Sequence, residues 1–317
     1  MKRFFNRVYK KIEKETLPKK LKENFRNVDE EKLEKFKRLL EEEFFKGWRG
    51  KDNFSKKVFE NDLKTQLYLR LFENRYHYIP WINKTVKLKN SNILEIGCGT
   101  GSSTVALTEQ GAFVTGIDID ESSLNIAKER MKIYGLEADF LSGNCLELFE
   151  KVKEKKFDVI IFYASLEHML YEERIESIKK YFSILSNGSF LIVVEAPNRL
   201  WYFDEHTSLL PFFNWLPDRL AFDYTKFSER SNFRELYKEF SDEKFLHFLR
   251  RGRGVSFHEF EIALNSKVEK IKVVSYLKQF LVPFSVERRY LNVLRSIYPK
   301  ISEGFFYPFL NLIIKKQ

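Results

Sequence analysis

The chain has 317 residues, 44% hydrophobic and 32% charged, which suits one large α/β domain with additions, or two domains. No apolar run approaches the roughly 20 residues that cross a bilayer, and the basic start lacks the apolar centre and small-residue cleavage site of a secretory signal. Two cysteines, Cys98 and Cys145, give neither a disulfide framework nor a zinc spacing, so we expect no metal and a cytoplasmic location. The net charge of +10 fits nucleic acid, anionic lipid, a phosphorylated substrate or simply a lysine-rich surface. Aromatic residues make up 16%, with 32 Phe, which implies large cores or an aromatic-lined pocket.

Residues 1–22 place Phe4, Phe5, Val8, Tyr9 and Ile12 roughly on one helical face among Lys and Arg, with Pro18 as an interruption. That pattern is shared by a membrane-surface helix, which keeps peripheral membrane contact open, and by a basic tail docked on the protein. From Val28 to Phe45, Leu33, Phe36, Leu39, Leu40 and Phe44 recur at helical spacing, with Glu41 to Glu43 on the solvated face. A second helix is predicted from about Ser55 to Arg75, with Val58, Phe59, Leu63, Leu67 and Leu71 inward. Tyr76, His77, Tyr78 and Trp81 then lead through Pro80 to the first strand. Residues 1–88 read as an N-terminal helical extension that covers a ligand pocket or completes the fold.

The next stretch organises the chain. Ile93, Leu94 and Ile96 fit a buried parallel strand. Gly97, Gly99 and Gly101 follow at every second position, where they admit positive φ and let a ligand lie against the backbone. Ser102 or Ser103 can cap a helix through Val105, Ala106 and Leu107. A dinucleotide fingerprint is Gly-x-Gly-x-x-Gly; here the third glycine comes one residue early. Glu95 stands just before the loop, where a carboxylate repels a pyrophosphate and suits an ammonium group.

Glu95-x-Gly97-x-Gly99-x-Gly101 resembles motif I of class I S-adenosylmethionine (SAM)-dependent methyltransferases. Phe113 to Ile119 reads as a second strand ending in Asp118, at the distance where an acid meets ribose hydroxyls; it reads equally as a helix cap, since Asp120 and Glu121 open the next amphipathic segment. Phe140 to Cys145 resembles the third motif of the family, with Asn144 where an acid usually contacts the adenine amine; an amide carbonyl accepts the same bond. Phe157 to Phe162 is a fourth strand. Tyr163 to Met169 is similar to the Leu-Glu-His signature of ubiquinone-biosynthesis-type small-molecule methyltransferases. Leu185 to Asn198 looks like the turn and fifth strand of that family.

The resemblance implies a Rossmann-like α/β fold. It has a seven-stranded, mostly parallel sheet with an antiparallel last strand, N-terminal helices and a helical insertion after strand 5. It places a SAM-binding core at 89–198 and implies SAM contacts from Glu95, Gly97, Cys98, Gly99, Gly101, Asp118, Ile119, Asn144, Cys145 and Tyr163. Both cysteines also read as plain packing residues.

After Asn198 the pattern changes. Residues 199–268 read as a helical insertion forming an acceptor pocket or lid. They begin with a dense aromatic and titratable group through Tyr202, Asp204, Glu205 and His206, and include Arg250-Arg-Gly-Arg-Gly254. That cluster is either an anion site using Arg forks or a charged turn. Residues 269–317 complete the sheet, with strands at Ile271 to Tyr276 and Phe309 to Ile314 and a helix at Val286 to Ile297.

The sulfonium of SAM already activates its methyl group, so the protein's task is alignment. A hydroxyl acceptor also needs a base, for which histidine suits best. The candidates are His206, beside Asp204 and Glu205, then His168 after the fourth strand, then His258 beside Glu259. His77 and His247 read as ordinary partly buried residues, and Tyr163 and Tyr202 as pocket walls or packing. The expected activity is methyl transfer from SAM to a small-molecule or glycan acceptor, at oxygen. RNA methylation is the alternative favoured by charge. It lacks the Asn/Asp-Pro-Pro-aromatic signature and an RNA-binding appendage. A non-catalytic SAM-fold partner is the third reading. The sequence sets no oligomeric state.

Overall fold

A computed structural model describes residues 30–46 and 56–317; the amphipathic N-terminal segment lies outside the described residues. The strands are β1 Asn92–Ile96, β2 Phe113–Asp118, β3 Asp139–Ser142, β4 Val159–Tyr163, β5 Phe190–Pro197, β6 Val273–Tyr276 and β7 Phe309–Lys315. They form one sheet in the order β3-β2-β1-β4-β5-β7-β6. β1 pairs in parallel with β2 and β4, while β7 runs antiparallel between β5 and β6. This is the Rossmann-like α/β arrangement with an antiparallel last strand.

Side chains alternate across the sheet, so each strand feeds two cores. Leu94, Ile96, Ile160, Phe162, Leu191 and Val193 face one layer. That layer contains α7 (Cys145–Val152), α8 (Tyr171–Ser183) and α12 (Phe257–Leu264). Ile93, Val159, Ile161, Ile192 and Val194 face the other, which holds α4 (Ile79–Asn83) and α5 (Ser102–Thr108). β1 and β4 are buried on both faces, which is why β4 reads as a continuous apolar run and β1 as one broken only by Glu95 after its exposed first residue.

The N-terminal helices are α1 (Glu30–Leu39), α2 (Lys56–Lys64) and α3 (Arg70–Glu73). Phe36 and Leu40 at the end of α1 meet Phe59, Leu63 and Leu67, and all pack on Ile126 of α6 (Glu121–Tyr134). The second helical run passes beyond the predicted end near Arg75. Wide π turns at Thr65–Leu69 and Asn74–Tyr78 join α2, α3 and α4. Pro80 does not end the run, because it sits in the first turn of α4, where a missing N–H is tolerated.

Between β5 and β6 come α9 (Asp218–Tyr224), α10 (Ser231–Leu236), α11 (Asp242–Leu249) and α12. Phe213, Phe222, Phe233, Tyr237 and Phe248 form a separate core there. The chain returns beside β5 through a parallel bridge from Asn198 to Val255. Buried Arg174 on α8 ties the return loop down, donating to Glu259 Oε2 at 2.8 Å and to the Gly254 carbonyl at 3.2 Å. α13 (Val286–Ile297) lies between β6 and β7 in the chain. Among the described residues, no helix is long and apolar enough to cross a membrane.

Candidate functional site

The carboxyl ends of β1, β2 and β4 meet around a cavity of about 350 Å³, at the place where doubly wound sheets hold ligands. Gly97 leaves β1 at φ +86°, and a Cβ there would lie 2.6 Å from Ser165 Cβ and 2.7 Å from the Tyr163 carbonyl oxygen. Only glycine lets the two strand ends approach this closely. Ser165 follows Ala164, which is itself at φ +42°. The Ser165 hydroxyl lines the cavity, buried and without a hydrogen-bond partner among the described residues. A buried hydroxyl left open in this way fits a polar ligand.

Asp118 also lines the cavity. Its Oδ2 accepts the Gly99 N–H at 2.7 Å and its Oδ1 accepts the Asp120 N–H at 3.0 Å. The carboxylate therefore clamps the glycine loop to β2, and burial raises its pKa against these amide bonds. Asp120, not Asp118, is the helix cap, accepting from the Ser122 and Ser123 amides. Ile119 is 72% exposed on the cavity rim. Among the described residues no cluster of His, Cys, Asp or Glu is arranged to hold a metal.

Several residues singled out in the sequence stand elsewhere. Glu95 is fully buried and turned from the cavity, accepting from the hydroxyls of Ser103 and of Thr104, the latter at 2.6 Å. The reason is strand alternation: Glu95 shares the sheet face of Ile93, which packs on α5. Burial pushes its pKa up to about 7, and its bonds to the two hydroxyls anchor the helix after the loop. Cys98 packs against Gly116. Gly99 and Gly101 shape the loop at φ +51° and +76° without lining the cavity.

Asn144 lines the cavity and caps α7, its Oδ1 accepting the Leu146 N–H at 2.9 Å. The second lone pair of that oxygen and the NH₂ group remain for a ligand. Cys145 lines the wall beside Ser177. Tyr163 lies under the N-terminal helices, its hydroxyl donating to Asn74 Oδ1 at 2.7 Å.

A second chamber of about 390 Å³ shares His168 and Arg250 with the first and adds His206, Arg230, His247 and Arg251. His206 sits in a turn built by Asp204, which accepts the amides of His206, Thr207 and Ser208. The Thr207 hydroxyl lies 3.1 and 3.0 Å from the carbonyls of Arg251 and Gly252. Carbonyls only accept, so the single hydroxyl proton goes to them. His206 Nδ1, 2.9 Å from the same oxygen, must then carry a proton and donate it. Nε2 is left as the basic nitrogen. Burial, His168 and Arg230 hold the His206 pKa down, to about 4.

His168 Nδ1 lies 3.0 Å from the Arg250 carbonyl, and the two imidazole rings are 6.2 Å apart. His258 does not join them. It is exposed on α12 and stacked on Phe257 at 3.9 Å, because the next position, Glu259, is the one turned inward to Arg174. Tyr202 lines neither chamber and donates to Glu287 Oε1 at 2.9 Å.

Residues 93–188 match the family described as a methyltransferase domain. The chain carries a methyltransferase domain. A ubiquinone biosynthesis O-methyltransferase of Stutzerimonas stutzeri is 33% identical over 91 residues, 29% of this chain and 39% of that one. The protein of the same description from Histophilus somni is 30% identical over 146 residues, 45% of this chain and 54% of that one. The chain thus spans about half or less of these relatives' length. The magnesium protoporphyrin IX methyltransferase of Synechocystis PCC 6803, solved with bound SAM, aligns at 23% identity and TM-score 0.37, covering 53% of this chain and 77% of that one. The methyltransferase domain runs from β1 to the turn before β5 and contains the glycine loop, Asp118 and Asn144. The resemblance to the class I SAM-dependent family therefore holds, and SAM is the cofactor of that family.

Sequence reasoning did not single out Ser165, Glu167, Arg230 or the Arg70–Glu195 pair. Ser165 and Glu167 stand inside the Leu-Glu-His segment, but their orientation depends on the positive φ at Ala164. Glu195 sits at φ +60° in the irregular register of β5 and accepts from Arg70 at 3.2 Å and the Tyr78 hydroxyl at 2.7 Å. No local sequence signal announces that pairing across 125 positions.

Proposed function

We propose that the protein transfers the methyl group of SAM to a hydroxyl of a small-molecule or saccharide acceptor. The observation that carries this reading is the pair of chambers meeting at His168 and Arg250, one lined by the methyltransferase loop and the other by His206 with Nε2 free. The first chamber suits SAM by its open Ser165 hydroxyl, the Asp118 and Asn144 polar groups, and the apolar rim at Ile119. Within this proposal residues 89–198 form the cofactor unit and 199–268 the acceptor wall, with the described residues before 89 and residues 269–317 completing the fold around them. The two free, buried cysteines support a cytoplasmic setting.

Bound SAM supplies an already activated methyl group, so the chain contributes alignment and proton removal. Asp118 holds the loop, Ser165 and Asn144 orient the ligand, and His206 Nε2 accepts the acceptor's hydroxyl proton while Thr207 fixes the imidazole. Ring nitrogens in this tautomer act as base without prior deprotonation at neutral pH. His168, half exposed at the junction, positions the acceptor.

Calorimetric titration with S-adenosylhomocysteine, with NAD as control, tests the cofactor; labelled SAM with phenolic, glycan and RNA acceptors tests the transfer. Binding of S-adenosylhomocysteine alone and transfer to a small acceptor, lost in His206→Asn, supports the proposal. Transfer to RNA with steep salt dependence would replace it, and cofactor binding without transfer to any acceptor would favour a non-catalytic partner.

A further inference from the structure

The second chamber has a one-sided charge. Three guanidinium groups, Arg230, Arg250 and Arg251, line it with three histidines, and among the described residues no carboxylate side chain is in its wall. Protein carboxylates account for only part of this. Arg250 makes a two-pronged pair with Glu173, at 2.7 and 2.6 Å. Arg253, the third arginine of the same cluster, is outside the chamber and held by Asp218 at 2.9 Å. Thus the arginine-glycine cluster is a structural tie at two positions and an open cation at one. Arg251 is exposed, and its guanidinium has no hydrogen-bond or ion-pair partner among the described residues.

Among the described residues the Arg230 guanidinium donates to backbone, the carbonyls of His206 at 2.7 Å and Glu205 at 3.4 Å. Carbonyls orient a guanidinium, and Asp204 offsets its charge only through space, without a direct ion pair. The oxygens of Asp204 beside this corner are occupied by the His206, Thr207 and Ser208 amides and the Ser208 hydroxyl. Burial holds the Arg230 pKa down, with Asp204 opposing that shift and the neighbouring Arg251 adding to it.

We propose that this chamber binds a phosphate group of the methyl acceptor, with Arg251 and Arg230 as its cationic contacts. The inference rests on the two-chamber reading above and names the class of acceptor: a small phosphorylated molecule whose hydroxyl reaches His206. Guanidinium groups match the tetrahedral oxyanion through forked N–H donors. The same anion would also tune the base. His206 lies among His168, Arg230 and Arg70, with Asp204 as the opposing charge. A bound dianion offsets that positive field and makes Nε2 more basic when the acceptor is in place.

The test uses the full chain and inorganic phosphate as probe, followed by the histidine C2–H resonances in nuclear magnetic resonance, with His206→Asn to assign its signal. Phosphate should shift the His168 and His206 signals saturably and raise the His206 titration midpoint. Arg251→Glu should weaken phosphate binding about tenfold or more, the least expected from a lost charge-assisted hydrogen bond. Lys300→Glu makes the same charge change at an exposed position on another part of the fold and should bind phosphate as the parent does. Equal weakening in both variants, no saturable shift, or tighter binding of acetate than of phosphate overturns the proposal. S-adenosylhomocysteine titration of the same samples reports on the cofactor chamber separately, so a failed cofactor reading and a failed phosphate reading are distinguishable.

Discussion

His206 and Thr207 are locked in one hydrogen-bonding direction: Thr207 Oγ1 accepts from Nδ1 at 2.9 Å because its own proton is directed to the Arg251 and Gly252 carbonyls. Gly252 makes this contact sterically possible. It sits at φ +87°, and a Cβ there would lie 2.7 Å from His206 Nδ1 and 2.6 Å from Thr207 Oγ1. Gly252→Ala should therefore displace the base while leaving every titratable group present. Methyl transfer should fall by roughly 100-fold, the low end of what a positioned base contributes, with S-adenosylhomocysteine affinity unchanged. Parent-like transfer in a folded variant would remove His206 from the mechanism.

Asp118→Ala releases the Gly99 and Asp120 amides. The glycine loop loses its clamp, and S-adenosylhomocysteine should bind at least about tenfold more weakly by calorimetry. Unchanged affinity would show that the loop holds its shape without the carboxylate and that the cofactor does not use it.

Glu167 is buried with neither carboxylate oxygen hydrogen-bonded among the described residues, and burial pushes its pKa up to about 7. The folded protein therefore holds a proton on Glu167 that the unfolded chain releases from its ordinary value of 4.5 upward. Its stabilising contribution is full below that value and is lost as the pH rises through about 7. Glu167→Gln should match the ligand-free parent in thermal stability at pH 5 and exceed it by a few degrees at pH 8. An equal difference at both pH values would show that the effect is packing and not ionisation.

Arg174 and Glu259 are both nearly buried and 2.8 Å apart. Arg174→Met leaves the Glu259 charge and the Gly254 carbonyl without their partner, so it should lose about 3–5 kcal/mol in urea unfolding. Adding Glu259→Met should recover much of that loss, since an apolar pair leaves no buried charge. No recovery would mean that the arginine acts through its carbonyl bonds alone.

β7 carries the inward residues Leu310, Leu312, Ile313 and Ile314 and pairs on both edges. Removing residues 308–317 should abolish cooperative thermal unfolding, because β5 loses its outer neighbour and β6 loses the sheet altogether. A sharp transition in the truncated chain would show that the sheet closes without β7.

The core was legible in the sequence because its signals are local. Apolar runs of five or six residues, glycines at Gly97, Gly99 and Gly101, and the Leu-Glu-His segment each encode a strand or a turn within a short window. Periodicity also gave the N-terminal helices, although the π turns that carry the second run past Arg75 have no sequence signature. The same locality limits the reading of Glu95: its position before the loop suggested a ligand contact, whereas strand alternation turns it onto α5. Asn144 was likewise read from its motif, and its added role as the cap of α7 appears only in the fold.

The sequence by itself determined the order of elements, the glycine loop and the methyltransferase character of residues 93–188. Only the tertiary structure decided which of the histidines face one another. His168 and His206 come from the ends of different strands, and the Arg250–Gly254 loop reaches both from within the insertion. Which arginine of that loop is neutralised and which is left open depends on where Glu173 and Asp218 lie, since charge compensation is set by distance through space and not by spacing along the chain.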